Sequence, residues 1–193
     1  LRADEGAVAL SGGVDSALIA RLAGLPCVTV GMEGSHDLEK GRAAAAALGL
    51  PWEGVALTSG EVEEALPRVV AATPRPTPLD VAIATGFPFV ARWAGERGHR
   101  RILVGQGADE LFAGYARYRE AADIPGMLAR DFASLRGQVL RDQAVARLHG
   151  VSFSLPYLDL RVVRAVQAIP PDRLVVAGSG KVPLRDLAAR LLP

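Results

Sequence analysis

Two glycine-containing segments constrain the fold of this chain more than any other feature of its sequence. Each lies between an apolar run and a helical pattern: Ser11–Ser16 (SGGVDS) follows Ala7–Leu10, and Gly105–Tyr115 (GQGADELFAGY) follows Arg101–Val104. A buried strand, a glycine loop and a helix form the repeating unit of a parallel α/β sheet. If both strands belong to one sheet, the two loops face each other across a single crevice.

The first segment has the features of a phosphate-binding loop. Gly12 and Gly13 let the backbone approach a ligand closely, and the start of the following helix supplies N–H groups and a positive dipole end. Ser11 and Ser16 add hydroxyl groups to this nest. Asp15 would repel phosphates unless a cation intervenes, and its oxygens suit Mg²⁺. An ordinary glycine turn with a serine cap does not account for this spacing, so we expect the crevice to hold a nucleotide with Mg²⁺.

The second segment repeats this arrangement. Gly105 and Gly107 open the loop, and Asp109 and Glu110 fall in the first turn of a helix, where acidic residues are favoured in any case. For Glu110, this general preference of helix starts explains the residue as well as a functional role does. For Asp109 we predict a second Mg²⁺ ligand, because in a sheet of order 3-2-1-4-5 the first and fourth strands flank the topological switch point, where ligands bind.

The apolar periodicity predicts an α/β fold, a doubly wound parallel sheet with a helical C-terminal part. Predicted strands are Ala7–Leu10, Cys27–Val30, Trp52–Ala56 and Ile102–Val104. Predicted helices are Val14–Ala23, Asp37–Leu48, Ser59–Ala71, Leu79–Glu96, Ala108–Phe112, Met127–His149, Asp159–Ala168 and Leu184–Leu192. We expect one domain over 1–193, with a nucleotide-binding core in 1–120 and a mostly helical part in 121–193.

Composition limits the classes of partner. The chain has 193 residues, of which 50% are hydrophobic and 22% charged, with a formal net charge of +1. This balance gives no basic face for nucleic acid. The lone Cys27 excludes a disulfide framework and a four-cysteine zinc site, and we expect it to be a buried thiol. No apolar run approaches the roughly 18 residues of a membrane span, so we expect a cytoplasmic protein.

The two segments also carry a family resemblance. Ser11–Ser16 resembles the PP-loop of the N-type ATP pyrophosphatases, and Gly105–Tyr115 resembles the second signature of asparagine synthetases and the related β-lactam synthetases. Further blocks follow in family order, namely Gly31–Leu38, Leu155–Asp159 and Lys181–Arg185. The resemblance covers the synthetase domain and implies the adenine nucleotide alpha hydrolase-like fold.

This resemblance implies a reaction. A small carboxylic acid attacks the α-phosphorus of ATP to give an acyl-adenylate and magnesium pyrophosphate, and ammonia then displaces AMP to leave an amide. The nitrogen source would be free ammonia or ammonia delivered by a separate glutaminase subunit, since no N-terminal cysteine nucleophile precedes the synthetase motifs. A homodimer is a further expectation.

The resemblance also assigns site residues. Gly178–Lys181 imitates the end of a Walker A loop, but Val182 stands where that loop needs Ser or Thr. The family instead gives Lys181 a catalytic role, as a lysine in a mobile C-terminal segment that reaches the α-phosphate. Gln106 is the second catalytic candidate, and Val30 and Met32 could line an adenine slot or simply pack. The candidate nucleotide-binding residues are Leu10, Ser11, Gly12, Gly13, Asp15, Ser16, Val30, Met32, Gly105 and Asp109, with Asp15 and Asp109 on the metal.

Two positions depart from the family pattern. Asparagine synthetases usually have Glu, and the lactam-forming relatives Tyr, where this chain has Gln106, and a neutral amide cannot act as a base at neutral pH. Aligning Pro88 puts Ile83-Ala84 where aspartate-using synthetases carry an Ile-Arg pair, so the guanidinium that grips an amino-acid carboxylate is missing. Both departures argue more strongly against asparagine as the product than against cleavage of ATP at the α-phosphate.

Two other functions remain open from the sequence. One is a PP-loop enzyme that adenylates RNA or a sulfur acceptor, which a basic surface would support. The other is a nucleotide-binding regulatory subunit that has lost catalysis, which Gln106 and Ala84 favour. The presence of Asp15, Asp109 and Lys181 counts against a loss of catalysis.

Overall fold

The computed structural model describes residues 6–193 and contains one five-stranded parallel sheet. Its strands are Gly6–Ala9 (β1), Cys27–Met32 (β2), Trp52–Leu57 (β3), Arg101–Leu103 (β4) and Ser152–Ser154 (β5). The order β3-β2-β1-β4-β5, with every neighbouring pair parallel, confirms the predicted doubly wound sheet. β1 is central, and Ala7 and Val8 are both fully buried because helices cover both faces of the sheet.

Nine α-helices accompany the sheet in the described part of the chain. They are Val14–Ala23 (α1), His36–Leu48 (α2), Ser59–Ala72 (α3), Pro78–Ala84 (α4), Phe87–Glu96 (α5), Ala108–Phe112 (α6), Ile124–Ala146 (α7), Leu160–Gln167 (α8) and Val182–Leu191 (α9). α1 and α6 have the predicted bounds, and most others differ by one to three residues at an end. Within residues 6–193 no helix is both long enough and apolar enough to cross a bilayer.

The prediction of one helix over Leu79–Glu96 was wrong, because the structure has two. α4 ends at Ala84 and α5 begins at Phe87, with Gly86 between them and Pro88 at the second position of α5. Proline lacks the N–H that would continue the helix and is tolerated in a first turn. The proline is therefore the start of a new helix and not an interruption of a longer one.

β5 is the fifth strand of the predicted order, which the sequence did not locate, and it lies in the part predicted to be mostly helical. It is three residues long and pairs with β4. On its other side, the Gln143 amide from α7 accepts a hydrogen bond from Phe153 N–H (3.1 Å) and donates one to Phe153 O (2.5 Å). A side chain thus satisfies the free edge of the sheet, as a further strand otherwise would.

The core lies on both faces of the sheet. On one face, Val8, Leu10 and Leu103 pack with α1, α6, α8 and α9. On the other, Ala7, Val28 and Ile102 pack with α5 and α7. α9, from the end of the chain, packs on α1. Residues 121–193 therefore complete the same sheet and core that residues 6–120 begin. Cys27 is 1% exposed, as expected of a buried thiol, and burial raises its pKa to about 11.

Candidate active site

The two glycine loops meet at the carboxyl ends of β1 and β4. These strands are neighbours in the sheet, with Val8 opposite Leu103. A Cβ added to Gly105 would lie only 3.4 Å from Asp15 Cβ, so the loops are in contact. β1 and β4 are the strands at which the chain order reverses, and this is where doubly wound sheets bind their ligands.

The first loop is held in shape by its own hydroxyl groups. Ser16 Oγ accepts a hydrogen bond from Ser11 N–H (3.1 Å), lies 3.0 Å from Ser11 Oγ and donates to Gly13 O (3.2 Å). Gly12 has φ +78°, and a Cβ there would lie 2.7 Å from the Lys40 backbone. Gly13 caps α1 without a side-chain hydrogen bond, so the first N–H groups of the helix remain available to an anion.

Three charged side chains, far apart in the sequence, converge beside this loop. Lys181 Nζ lies 2.6 Å from Asp15 Oδ2 and 2.8 Å from Asp109 Oδ1. We call this group the Asp–Lys–Asp cluster. The structure thus brings together the two residues predicted as metal ligands and the predicted lysine.

Burial and pairing set the electrostatics of the cluster. Burial raises the pKa of Asp15 above its ordinary value, and the hydrogen bond from Lys181 offsets only part of that rise. Burial alone would lower the pKa of Lys181, but its hydrogen bonds to Asp109 and Asp15 outweigh burial and raise it. The lysine is therefore charged at neutral pH.

The backbone around Lys181 is held by hydrogen bonds to neighbouring elements. Lys181 N–H donates to Phe112 O (2.9 Å), and Arg185 N–H donates to Lys181 O (2.8 Å) at the start of α9. Lys181 adopts φ +60° and is 8% exposed. A Cβ at Gly180 would overlap Ala113 O. The family-based expectation of a mobile segment stays a prediction; in this structure hydrogen bonds hold the backbone on both sides of Lys181.

The residues present fit a nucleotide with Mg²⁺. Asp15 Oδ1 is buried and has no hydrogen-bond partner within the described chain, so it can accept a donor or a cation. No group of three or more His, Cys, Asp or Glu side chains within residues 6–193 is arranged to hold a metal. Mg²⁺ commonly binds through one or two carboxylates and takes its other ligands from phosphates and water, which matches a two-carboxylate site beside a phosphate loop.

A cavity of about 250 Å³ lies next to the first loop, between the ends of β1 and β2. Three of the residues predicted to bind the nucleotide, Leu10, Ser11 and Val30, line it together with Ala9, Val28, Thr29, Asp37, Gly86, Phe87 and Val90. Met32 is not among the lining residues, and its side chain is 42% exposed. The apolar lining beside the phosphate loop suits a flat base.

Gln106 belongs to a buried polar chain that the sequence did not reveal. Its Nε2 donates to Asp142 Oδ2 (3.2 Å), and Asp142 Oδ1 accepts from Arg141 Nε (2.8 Å). Arg141 Nη1 in turn donates to Asp80 Oδ1 (2.7 Å) on α4. Arg141 and Asp142 are 4% and 2% exposed. Burial raises the pKa of Asp142, and Arg141 counters that rise.

Only a weak signal in the sequence marks this pair. Arg141 and Asp142 are adjacent charges in a helix, which normally indicates a solvated face. Their neighbours Val145 and Ala146 are fully buried, so the apolar stripe next to them was the available clue. Ala84, at the position where the resembling synthetases carry Arg, is also fully buried.

The fold and the site together define a class of protein. A doubly wound parallel sheet of order 3-2-1-4-5, with glycine loops at its switch point, is an α/β domain of the PP-loop, adenine nucleotide alpha hydrolase-like type. The chain belongs to the asparagine synthase family, whose sequence profile matches residues 3–130 and 119–193.

The relatives agree with this family. The chain is 34% identical over 178 residues to "Putative asparagine synthetase (glutamine-hydrolyzing) 1" of Methanocaldococcus jannaschii, covering 86% of this chain and 33% of the relative. It is 26% identical over 195 residues to the nodule asparagine synthetase (glutamine-hydrolyzing) of Pisum sativum, covering 91% of this chain and 33% of that protein. The chain therefore spans about a third of the length of these relatives.

Among solved structures, a predicted subunit of tRNA methyltransferase from Methanocaldococcus jannaschii is similar at a TM-score of 0.45 and 13% identity, covering 96% of this chain and 86% of that one. This likeness is too distant to bear on function.

Proposed function

We propose that this chain is an ATP-dependent amide ligase of the asparagine synthetase type that forms AMP and pyrophosphate. The observation that carries the proposal is the Asp–Lys–Asp cluster, which joins Asp15, Asp109 and Lys181 at the switch point of the sheet. Membership of the asparagine synthase family supports the same class of reaction.

The proposed reaction has two steps. An oxygen of the substrate carboxylate bonds to the α-phosphorus of ATP while the bond from that phosphorus to the bridging oxygen of pyrophosphate breaks. Ammonia then bonds to the acyl carbon, the bond from that carbon to the AMP oxygen breaks, and the proton lost by the nitrogen passes to water. The protein forms no covalent bond in this scheme, so catalysis depends on positioning the reactants and on stabilising the charge that develops.

The chain's residues divide this work. In the first loop, Gly12, Gly13 and Ser16 would bind the β- and γ-phosphates with N–H and hydroxyl groups. Asp15 and Asp109 would hold Mg²⁺, which supplies charge neutralisation at the leaving pyrophosphate. Lys181 would stabilise the charge that develops around the α-phosphate.

Gln106 would orient substrates and not remove protons. One N–H of its amide is already donated to Asp142, and the amide cannot accept a proton at neutral pH. The proton of the attacking amine would therefore be removed by another group. The nitrogen would come from free ammonia or from a glutaminase. The cytoplasmic location and the homodimer stay predictions.

A pyrophosphate-release assay tests the proposal. The chain is incubated with ATP and Mg²⁺ and a panel of carboxylic acids, with and without ammonium, and both pyrophosphate and AMP are measured. We expect at least one acid to stimulate equimolar release, and hydroxylamine to trap its acyl-adenylate as a hydroxamate.

Two variants sharpen the assay. Asp15→Asn should lower the rate about 100-fold, as does loss of one charged group from a preorganised phosphate site, whereas Asp172→Asn, on an exposed turn, should leave it unchanged. No release with any acid would contradict the ligase proposal and favour a regulatory subunit. Release stimulated by RNA would contradict it in favour of an RNA-adenylating enzyme.

A further inference from the structure

Lys181 is a rare residue type in this sequence. Lys181 and Lys40 are the only lysines, while every other residue of this charge is arginine. Lys40 is exposed on α2, whereas the Lys181 side chain is 10% exposed and both of its ion pairs are with the predicted metal ligands. An ammonium is a compact point charge on a flexible stem, unlike the planar guanidinium.

The ammonium of Lys181 lies between the two carboxylates. Nζ is 2.6 Å from Asp15 Oδ2 and 2.8 Å from Asp109 Oδ1, so one cation already neutralises both groups. A divalent cation held by these two carboxylates, whether through the same oxygens or through Asp15 Oδ1, which has no partner in the described chain, would lie close to Nζ, in a partly buried place where like charges repel strongly. The two cations therefore compete for one pair of carboxylates.

We propose that Lys181 is the resident cation of the Asp15–Asp109 pair in the nucleotide-free protein, and that the divalent cation binds by displacing its ammonium. This inference rests on the metal role that the proposed function gives to the two carboxylates. The new element is that the lysine and the metal occupy the carboxylate pair in turn. Asp15 and Asp109 are therefore never left without a cation.

The contacts of the backbone determine what moves in this exchange. Lys181 N–H stays bonded to Phe112 O and Lys181 O stays bonded to Arg185 N–H, because neither bond involves the ammonium. Gly180 is packed against Ala113 O. The side chain alone therefore moves, and the released ammonium remains within reach of the first loop, where the phosphates would bind.

The surroundings favour lysine over arginine for this exchange. A Cβ at Gly114 would overlap both Asp109 Oδ1 and Lys181 Cε, which shows how closely the backbone approaches the lysine stem. A guanidinium is wider and would form a bidentate pair with one carboxylate, which is harder to displace. The near-absence of lysine elsewhere in the chain is consistent with a position-specific need for the smaller cation.

Metal binding tests the inference without reference to catalysis. Binding of Mn²⁺ to the nucleotide-free chain is measured by electron paramagnetic resonance for the wild type, Lys181→Met and Arg185→Met. Arg185 is a nearby cation whose charge acts on Asp15 but which does not occupy the carboxylates, so it controls for the general effect of removing a charge. We expect Lys181→Met to bind Mn²⁺ at least tenfold more tightly than Arg185→Met.

The two lysines provide a second readout on the wild type. Acetylation of Lys181 relative to exposed Lys40 is measured by mass spectrometry in chelator and at Mn²⁺ concentrations that saturate the site. We expect Lys181 to react at least tenfold more slowly than Lys40 in chelator, and its rate to rise several-fold when Mn²⁺ is bound. This experiment uses only the wild-type chain, so it tests the inference even if Lys181→Met does not fold.

Each outcome decides the inference. Equal Mn²⁺ affinity in the two variants, or an acetylation rate of Lys181 that does not change when the metal is bound, overturns the exchange but leaves the proposed metal role intact. Failure of the wild type to bind Mn²⁺ at any concentration, with or without ATP, overturns the metal role and the exchange together.

Discussion

Gly114 shows how a single residue without a side chain shapes the candidate active site. It follows α6 and lies against the ion pair of Asp109 and Lys181, so that any Cβ at this position would overlap both side chains. The motif around it suggested a helix with acidic residues in its first turn. Only the folded chain shows that the glycine leaves room for the lysine.

Gly114→Ala should therefore separate Lys181 from Asp109. We expect pyrophosphate release to fall by about 100-fold, because the charge opposite the phosphates is displaced. Gly137→Ala is the matched control, since Gly137 lies in α7 with open space around its Cα and alanine favours a helix. Activity of Gly114→Ala equal to that of the control would contradict this account of the site.

Residue identity predicted some members of the site and missed others. Asp15 and Asp109 each belong to a glycine motif in which an acidic residue suits a metal ligand, so the amino-acid sequence is enough to single them out, whereas Lys181 was singled out by the family resemblance. Arg141 and Asp142 do not stand out in this way, because their charges are normal for a helix surface and only their burial makes them unusual. Met32 was predicted from its strand position and lies outside the cavity.

At the scale of elements, local signals placed most helices correctly. α1 begins after Gly13 and ends just before Gly24, which adopts φ +64° as glycines at the C-terminal ends of helices commonly do. α3 begins with a capping box: Glu61 N–H donates to Thr58 Oγ1 (3.3 Å) and Thr58 N–H donates to Glu61 Oε2 (2.9 Å). Such ends depend on a few neighbouring residues, and the sequence displays them directly.

Thr58→Ala should destabilise the protein by about 1 kcal/mol, since an N-cap side chain contributes that much. Thr58→Ser keeps the hydroxyl and should unfold like the wild type in urea. The hydrogen bonds from Thr58 lower the pKa of Glu61. The wild type's advantage should therefore be full above pH 4.5 and shrink as pH falls through the folded pKa. A difference from Thr58→Ala that does not depend on pH would contradict the role of Glu61.

Two features of the elements were harder to predict. The break between α4 and α5 was missed because their apolar residues keep a helical period across it, although Gly86 and Pro88 mark it locally. β5 was not located because three residues are too few to show an alternation. Its outer edge is satisfied by Gln143 from α7, which is a tertiary interaction.

At the scale of the whole molecule, the buried Arg141–Asp142 pair joins three parts of the fold. Arg141 and Asp142 lie on α7, Asp80 on α4 and Gln106 in the loop after β4. A buried charge left without its partner is costly because water cannot reach it. This chain of hydrogen bonds therefore fixes the position of Gln106 relative to two helices.

Arg141→Met should cost about 3–5 kcal/mol of unfolding free energy in a denaturant titration, because it leaves Asp142 buried and unpaired. Burial already raises the pKa of Asp142. The folded variant therefore takes up a proton more readily than the unfolded chain, and its stability is retained at low pH and lost as pH rises through the folded pKa. The loss should thus be larger at pH 8 than at pH 5.

The matched control for this prediction is the double variant Arg141→Met with Asp142→Leu, which removes both buried charges. It should recover most of the lost stability and show little dependence on pH over the same range. A double variant as unstable as Arg141→Met alone would show that packing, and not the unpaired charge, causes the loss.

The sequence by itself determined the α/β class and singled out Asp15 and Asp109, because apolar periodicity and glycine motifs are local and their chemistry is specific. The order of the sheet and the choice of Lys181 came from the family resemblance of its motifs. The tertiary structure alone decided that Lys181 lies between Asp15 and Asp109 and that Gln106 is hydrogen-bonded to a buried ion pair. It also decided that the backbone of Phe153, at the edge of the sheet, is hydrogen-bonded to Gln143. These outcomes depend on distances between residues far apart in the chain, and those distances are set by packing and burial that no local pattern records.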